Sequence, residues 1–308
     1  MPCTRANSGR ELVVSARVRG RAVTDQGYLL PTFLIVGPPR TGTSWLHSVL
    51  QEHTCLPMIK ETRFFDERFH RGLGWYRDNF PKSDLPMGEV GPTYFASAEA
   101  RQRISELIPE ARVVCIFRNP VDRIRSHYRL RRAYAMIPWD FEEALRKDAE
   151  LMESSKYATY LKAWQRTFGD ENVSVMLYDD LKQSPQLFVD ELADFTRIPR
   201  FSLAPSQISY IHSSVPLTQP RSYYRTRSAG ALADWFKAHR FDGVVAAAKR
   251  SRLGDWFLGG GASFKEIRPE VVSSLYEQFR PEVEELESML GRDLGAWKYQ
   301  EASFMSAV

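Results

Sequence analysis

Cysteine is scarce in this chain: Cys3, Cys55 and Cys115 are the only three in 308 residues. An odd number at wide spacings builds neither a disulfide framework nor a metal knuckle. Cys115 lies inside an apolar run and is expected in the core. Long hydrophobic runs are also missing. No stretch reaches the roughly 18 apolar residues that cross a bilayer, so no membrane span is expected. Leu12-Val13-Val14 is too short for a secretory leader and is followed by Arg17, Arg19 and Arg21. A reducing cytoplasm is therefore the expected setting. Nor is there a strong charge of either sign, since 42 Lys and Arg against 38 Asp and Glu leave +4. That balance suits an anion held locally and argues against a nucleic-acid-coating surface.

What is present is an ordinary globular composition, 43% hydrophobic and 26% charged, able to bury a sizeable core. Residues 1–25 are polar and basic and read as a flexible N-terminal arm, with one short strand over 11–16. Residues 26–308 read as a single domain. Phe33-Leu34-Ile35-Val36 is a continuous apolar run ending at Gly37, the pattern of a buried parallel strand. Trp45, Leu46, Val49 and Leu50 then repeat at helical spacing. A second strand is predicted over 112–117, with Pro120 opening a helix at its favoured first position. A helix over 157–168, a strand over 173–178 and a helix carrying Leu187, Phe188, Leu192 and Phe195 follow.

Alternating strands and helices imply an α/β fold with a central, mostly parallel sheet flanked by helices in three layers. Ligands in such folds bind at the carboxyl ends of the strands. Residues 197–265 mix Pro, Ser, Tyr and Arg and read as an irregular, substrate-facing segment. Helical patches are expected near 232–239 and 244–249, with flexibility at Gly259-Gly260-Gly261. A helix over 268–291 is expected to break or kink at Pro281.

Chemistry enters at Gly37-Pro-Pro39-Arg40-Thr41-Gly42-Thr43-Ser44. Glycines between a strand and a helix let successive N–H groups converge on an anion, and the helix N-terminus adds partial positive charge. The spacing is that of a nucleotide phosphate loop. The lysine of such loops is missing, because Thr43 stands there and the cation is Arg40. The second strand ends in Phe117-Arg118, not in the aspartate that holds magnesium. A metal-free site that neutralises phosphate with arginine fits these residues better than a kinase or NTPase.

Pro39-Arg-Thr-Gly-Thr-Ser-Trp45 resembles the 5′-phosphosulfate loop of sulfotransferases dependent on 3′-phosphoadenosine 5′-phosphosulfate (PAPS). Arg118-Asn-Pro with Ser126 resembles their 3′-phosphate motif. Lys60-Glu61-Thr-Arg-Phe-Phe-Asp66 is similar to the Lys-Glu-x-x-Phe-Phe-Asp motif of the heparan sulfate branch. Gly72-Leu-Gly-Trp-Tyr76, Glu89 with Pro92 and Tyr94, and Leu275-Tyr276 leading to Phe279-Arg280-Pro281 continue that likeness. The histidine base of the cytosolic branch is absent from Gly88–Phe95.

The resemblance implies a sulfotransferase using PAPS, with 3′-phosphoadenosine 5′-phosphate (PAP) as product and no metal. It makes Glu61 the general base, Arg40 a charge clamp on the phosphosulfate, and Lys60 a sulfate-binding or base-supporting cation. It gives Pro39, Thr41, Gly42, Thr43 and Ser44 to the 5′-phosphate loop and Trp45 to adenine packing. Arg118 and Ser126 go to the 3′-phosphate. Tyr157, Lys265 and Arg268 are further expected nucleotide contacts. Asp66 is expected to be structural, and His127 to lie away from the substrate.

Two departures limit this transfer of roles. The glycan enzymes carry a cysteine-bridged loop near the C-terminus, and no cysteine follows Cys115 here. Their basic loop motif is not cleanly present either. The acceptor expected is a hydroxyl, or secondarily an amine, of a small molecule or saccharide. The chain itself is expected to be a monomer or weak homodimer. A P-loop-type kinase or NTPase and a non-catalytic nucleotide-binding module are the alternatives.

Overall fold

In a computed structural model, residues 14–18, 21–24, 29–212, 217–238 and 261–299 are described. The N-terminal segment forms two strands where the sequence suggests one. Strands β1 (Val14–Val18) and β2 (Arg21–Thr24) pair antiparallel. The central sheet has four parallel strands in the order β4-β3-β5-β6: β3 (Phe33–Gly37), β4 (Gly88–Val90), β5 (Arg112–Phe117) and β6 (Val173–Leu177). Every residue of β3 is buried, as are Val113–Phe117, so the sheet is covered on both faces. Cys115 sits in that core, and burial pushes its thiol far up.

The chain divides into two compact units, one of Met1–Phe117 with Tyr160–Ile208, the other of Arg118–Thr159 with Ser209–Val308. The first contains the whole sheet. Its helices include α1 (Thr43–Leu50), α2 (Gly72–Arg77) and α3 (Ala98–Leu107). The second unit packs α4 (Pro120–Ala133), α5 (Phe141–Lys147) and α6 (Ala149–Glu153) with the long C-terminal helix. Val121, Ile124, Tyr128, Phe141 and Leu151 form one core there with Val272, Leu275 and Phe279.

Helix α7 (Tyr157–Phe168) falls where the periodicity places it. Helices α8 (Tyr178–Gln183) and α9 (Pro185–Thr196) follow β6. The segment read as irregular holds two helices, α10 (Pro205–His212) and α11 (Tyr223–Ala238). The patch expected at 244–249 and two of the three glycines at 259–261 lie outside the described residues. Helix α12 (Pro269–Leu290) runs through Pro281, so of the expected break or kink the break does not occur. Proline removes one backbone bond, but buried Leu275, Phe279, Val283 and Leu286 hold the helix on both sides of it.

Candidate active site

The first loop is built by glycine geometry. Gly37 has φ 94°, and a Cβ there would lie 2.6 Å from the Pro92 Cα. Gly42 has φ 91°, and its Cβ would meet Leu181 Cδ2 at 2.8 Å. Only glycine combines the left-handed region with so close an approach. Arg40 also takes a positive φ, 76°, without being glycine. Such a conformation costs a non-glycine residue energy, and it recurs at ligand-binding loops as well as at helix ends such as Arg197.

Helix α1 starts at Thr43 with Gly42 as a cap that has no side-chain hydrogen bond, and with no acidic residue in its first turn. Its leading N–H groups are thus suited to an external anion. Thr41 is fully buried, and its hydroxyl donates to the Pro38 carbonyl at 2.8 Å. That hydroxyl fastens the loop, so a phosphate contact from Thr41 falls to its amide. Pro39, Arg40 and Gly42 are half-buried, Thr43 is buried and Ser44 is exposed. Trp45 is 5% exposed, and its indole N–H donates to the Gln207 carbonyl of α10 at 2.8 Å.

The structure brings the second motif to this loop. Lys60 Nζ donates to Ser44 Oγ at 2.8 Å. Lys60 is exposed, and the adjacent Glu61 is half-buried. Behind them lies an aromatic box. Phe64 stacks on Tyr76 with ring centroids 4.4 Å apart, and Phe65 meets Tyr76 and Tyr94 edge-on. Phe64–Arg68 forms a π turn, entered through Arg63 at φ 51°. Asp66 accepts from the Thr93 hydroxyl at 2.5 Å and from the Glu67 amide at 2.7 Å.

Glu89 is fully buried inside this box. Its carboxyl accepts from Thr62 Oγ1 (2.5 Å), Tyr76 Oη (2.5 Å) and Tyr94 Oη (2.9 Å). Burial raises its pKa above the usual carboxylate value, and the three hydroxyl donors oppose that rise. The sequence marks Glu89 only by its likeness to a motif. The hydroxyl donors that surround it come from three separate segments and leave no local pattern.

His47, on α1, carries no expectation from the sequence. It is buried, and its Nε2 has no hydrogen-bond partner among the described residues. Burial first, and then the charge of Lys60, lower its pKa to about 4. The ring is therefore neutral at pH 7.

In the second unit, Asn119 caps α4 by accepting from the amides of Val121 and Asp122. Asn119 Nδ2 also reaches Tyr276 Oη at 3.4 Å. Arg118, just ahead of this cap, is 25% exposed and lies 3.9 Å from Asp122. Ser126 is half-buried on α4. Arg123 is fully buried and bonds Ser155 Oγ, the Leu151 carbonyl and His127 Nδ1. His127 is thus part of a buried structural cluster. Tyr157 is 1% exposed and meets Trp297 edge-on. Its phenol is pushed up to about 12, chiefly by burial. Lys265 is exposed. Arg268 is exposed and forms a two-bond ion pair with Glu142 at 2.8 and 2.6 Å. Among the described residues there is no cluster of His, Cys, Asp and Glu able to hold a metal. No described helix is long and apolar enough to cross a membrane.

The sulfotransferase domain family model matches residues 30–228. The chain belongs to the sulfotransferase family. The bifunctional heparan sulfate N-deacetylase/N-sulfotransferase 3 of Homo sapiens is 30% identical over 193 residues, covering 54% of this chain and 22% of the relative. The Mus musculus enzyme 4 of the same description is also 30% identical, with the same coverage. This sulfotransferase therefore matches about a fifth of those relatives' length. A solved sulfotransferase from Alicyclobacillus acidocaldarius shares the fold, with TM-score 0.62 and 22% identity, covering 88% of this chain and 99% of that one.

Proposed function

We propose that this sulfotransferase moves a sulfuryl group from PAPS to a hydroxyl, or secondarily an amine, of a saccharide or small-molecule acceptor, without a metal. The observation that carries the reading is the Lys60–Ser44 hydrogen bond, which joins the Lys60-Glu61 motif to the phosphate loop. PAPS supplies, when bound, a sulfuryl group on a phosphate leaving group. Thr41, Gly42, Thr43 and Ser44 cradle the 5′-phosphate through converging amides and hydroxyls, and Pro39, which has no N–H to donate, shapes the loop that holds it. Arg40 and Lys60 hold the negative charge that collects there as the bond to sulfur breaks.

Glu61 takes the acceptor's proton as the acceptor oxygen or nitrogen attacks. Its side chain has no hydrogen-bond partner among the described residues, which suits a base that must meet an incoming proton. Arg118 and Ser126 take the 3′-phosphate, and Trp45 packs the adenine. Tyr157, Lys265 and Arg268 are retained as weaker nucleotide contacts. Of these, Arg268 would have to leave Glu142. A cytoplasmic setting belongs to the same proposal.

The test is transfer of labelled sulfate from PAPS, in EDTA, to a panel of desulfated glycans and small hydroxyl and amine acceptors. Transfer by the native chain, lowered by about 100-fold or more in Glu61→Gln, is expected for a lost base. Equal transfer by both proteins would remove Glu61 from the chemistry. ATP turnover that needs magnesium would support the kinase alternative instead.

A further inference from the structure

Glu89 is an unusual way to fill a core. A buried carboxylate is costly to desolvate, and an apolar side chain of similar size often serves stability as well or better. Here the carboxylate joins three separate segments. Its Oε1 accepts from Thr62, beside the proposed base, and from Tyr94, beyond the end of β4. Its Oε2 accepts from Tyr76 on α2. The Phe64 amide then donates to both Thr62 Oγ1 (3.1 Å) and Tyr94 Oη (3.0 Å).

The backbone is thus gripped immediately after Glu61. Immediately before Glu61, the Lys60 ammonium is tied to Ser44 of the phosphate loop. Glu61 lies between two fixed points, while its own carboxylate has no hydrogen-bond partner among the described residues. We propose that Glu89 is a positioning residue that acts through Thr62 to set the Glu61 carboxylate for proton removal. The proposal rests on the reading of Glu61 as base.

The geometry distinguishes positioning from mere support. If Glu89 works through Thr62 and Glu61, removing the Thr62 hydroxyl should reproduce the effect of changing Glu89. Either change should also have no further effect once Glu61 is gone. Residues acting as a unit are non-additive in this way, whereas independent structural damage adds.

The experiment compares Glu89→Gln, Thr62→Val, Glu61→Gln and both double variants with Glu61→Gln, all in the full chain. Release of labelled sulfate from PAPS, with water as acceptor, gives kcat and KM. Titration calorimetry gives PAP affinity, and amide hydrogen exchange reports on residues 60–66. The expected result is a kcat lower by at least about 10-fold in Glu89→Gln and Thr62→Val. KM for PAPS and the Kd for PAP should change by less than about 3-fold, and exchange over 60–66 should quicken. Neither change should lower the rate further in the Glu61→Gln background.

Equal losses with and without Glu61 would overturn positioning and make Glu89 a structural residue. So would a PAP affinity that falls as far as kcat, or exchange over 60–66 that does not change. If Glu89→Gln does not fold, Thr62→Val, which keeps the side-chain volume, carries the same test. A full rate in Glu61→Gln would instead sink the base assignment. Glu89 would then lose its proposed catalytic purpose, even if exchange still showed that it holds the segment.

Discussion

At Gly42 the backbone has φ 91°, and the place a Cβ would occupy is 2.8 Å from Leu181 Cδ2. Gly42→Ala must therefore both strain the loop and displace a packed leucine. It is expected to cost about 1–3 kcal/mol, read by denaturant unfolding, and to weaken PAP binding, read by calorimetry. His47 sets a second expectation. Its folded pKa of about 4 lies below the ordinary histidine value of 6.5, chiefly because of burial. Between those values the unfolded chain binds more protons than the fold. The stability that neutral His47 contributes is present above pH 6.5 and is lost as pH falls toward about 4. The unfolding temperature of His47→Gln should fall less over that window than that of the native chain. Equal slopes would show that His47 is not held neutral. Much of this scale was legible beforehand. Gly42 with Arg40 and Ser44 stands in a loop whose suitability for an anion can be read from residue type and spacing, while the roles expected of Lys60, Glu61 and Arg118 come from the resemblance to the family. His47 was not, because a lone histidine on a helix gives no sign of the lysine that approaches from elsewhere in the chain.

Helix α4 shows how one short motif builds an element and carries a residue proposed to meet the ligand. Asn119 caps the helix through Val121 and Asp122, Pro120 fills the first turn, and Arg118 is carried immediately ahead of the cap. Loss of that cap in Asn119→Ala should cost about 1 kcal/mol, measured by denaturant unfolding. It should also weaken PAP binding by loosening the residue proposed to meet the 3′-phosphate. Unchanged PAP affinity would separate the cap from the ligand. Strand β5 and helix α7 match their expected ranges because each has an unbroken apolar run or stripe. Strand β4 escaped because Gly88-Glu89-Val90 has no such run. Gly88 is required there because the Phe33 ring lies against it, 2.0 Å from where a Cβ would stand. The sequence marks Glu89 only by its likeness to a motif, and its burial among three hydroxyl donors leaves no local pattern. Helix α12 does not break at Pro281 because buried side chains on both sides outweigh one missing backbone bond.

For the whole molecule, the parallel sheet and its flanking helices followed from the alternation of strand and helix patterns. The division into two compact units did not, because its boundaries fall between β5 and α4 at Phe117–Arg118, inside α7 at Thr159–Tyr160 and inside α10 at Ile208–Ser209. The residues proposed for the 5′-phosphate and those proposed for the 3′-phosphate, Arg118 and Ser126, stand in separate sequence motifs. The account therefore depends on which nucleotide the whole chain prefers. Calorimetric titration of the full chain in EDTA with PAP, and in parallel with adenosine 5′-monophosphate, tests this without knowledge of the acceptor. A 3′-phosphate held by charge-assisted bonds should make PAP bind at least about 10-fold more tightly than the monophosphate, with no gain on adding magnesium. Equal affinity for the two nucleotides, no binding of PAP, or binding that appears only with magnesium would contradict it.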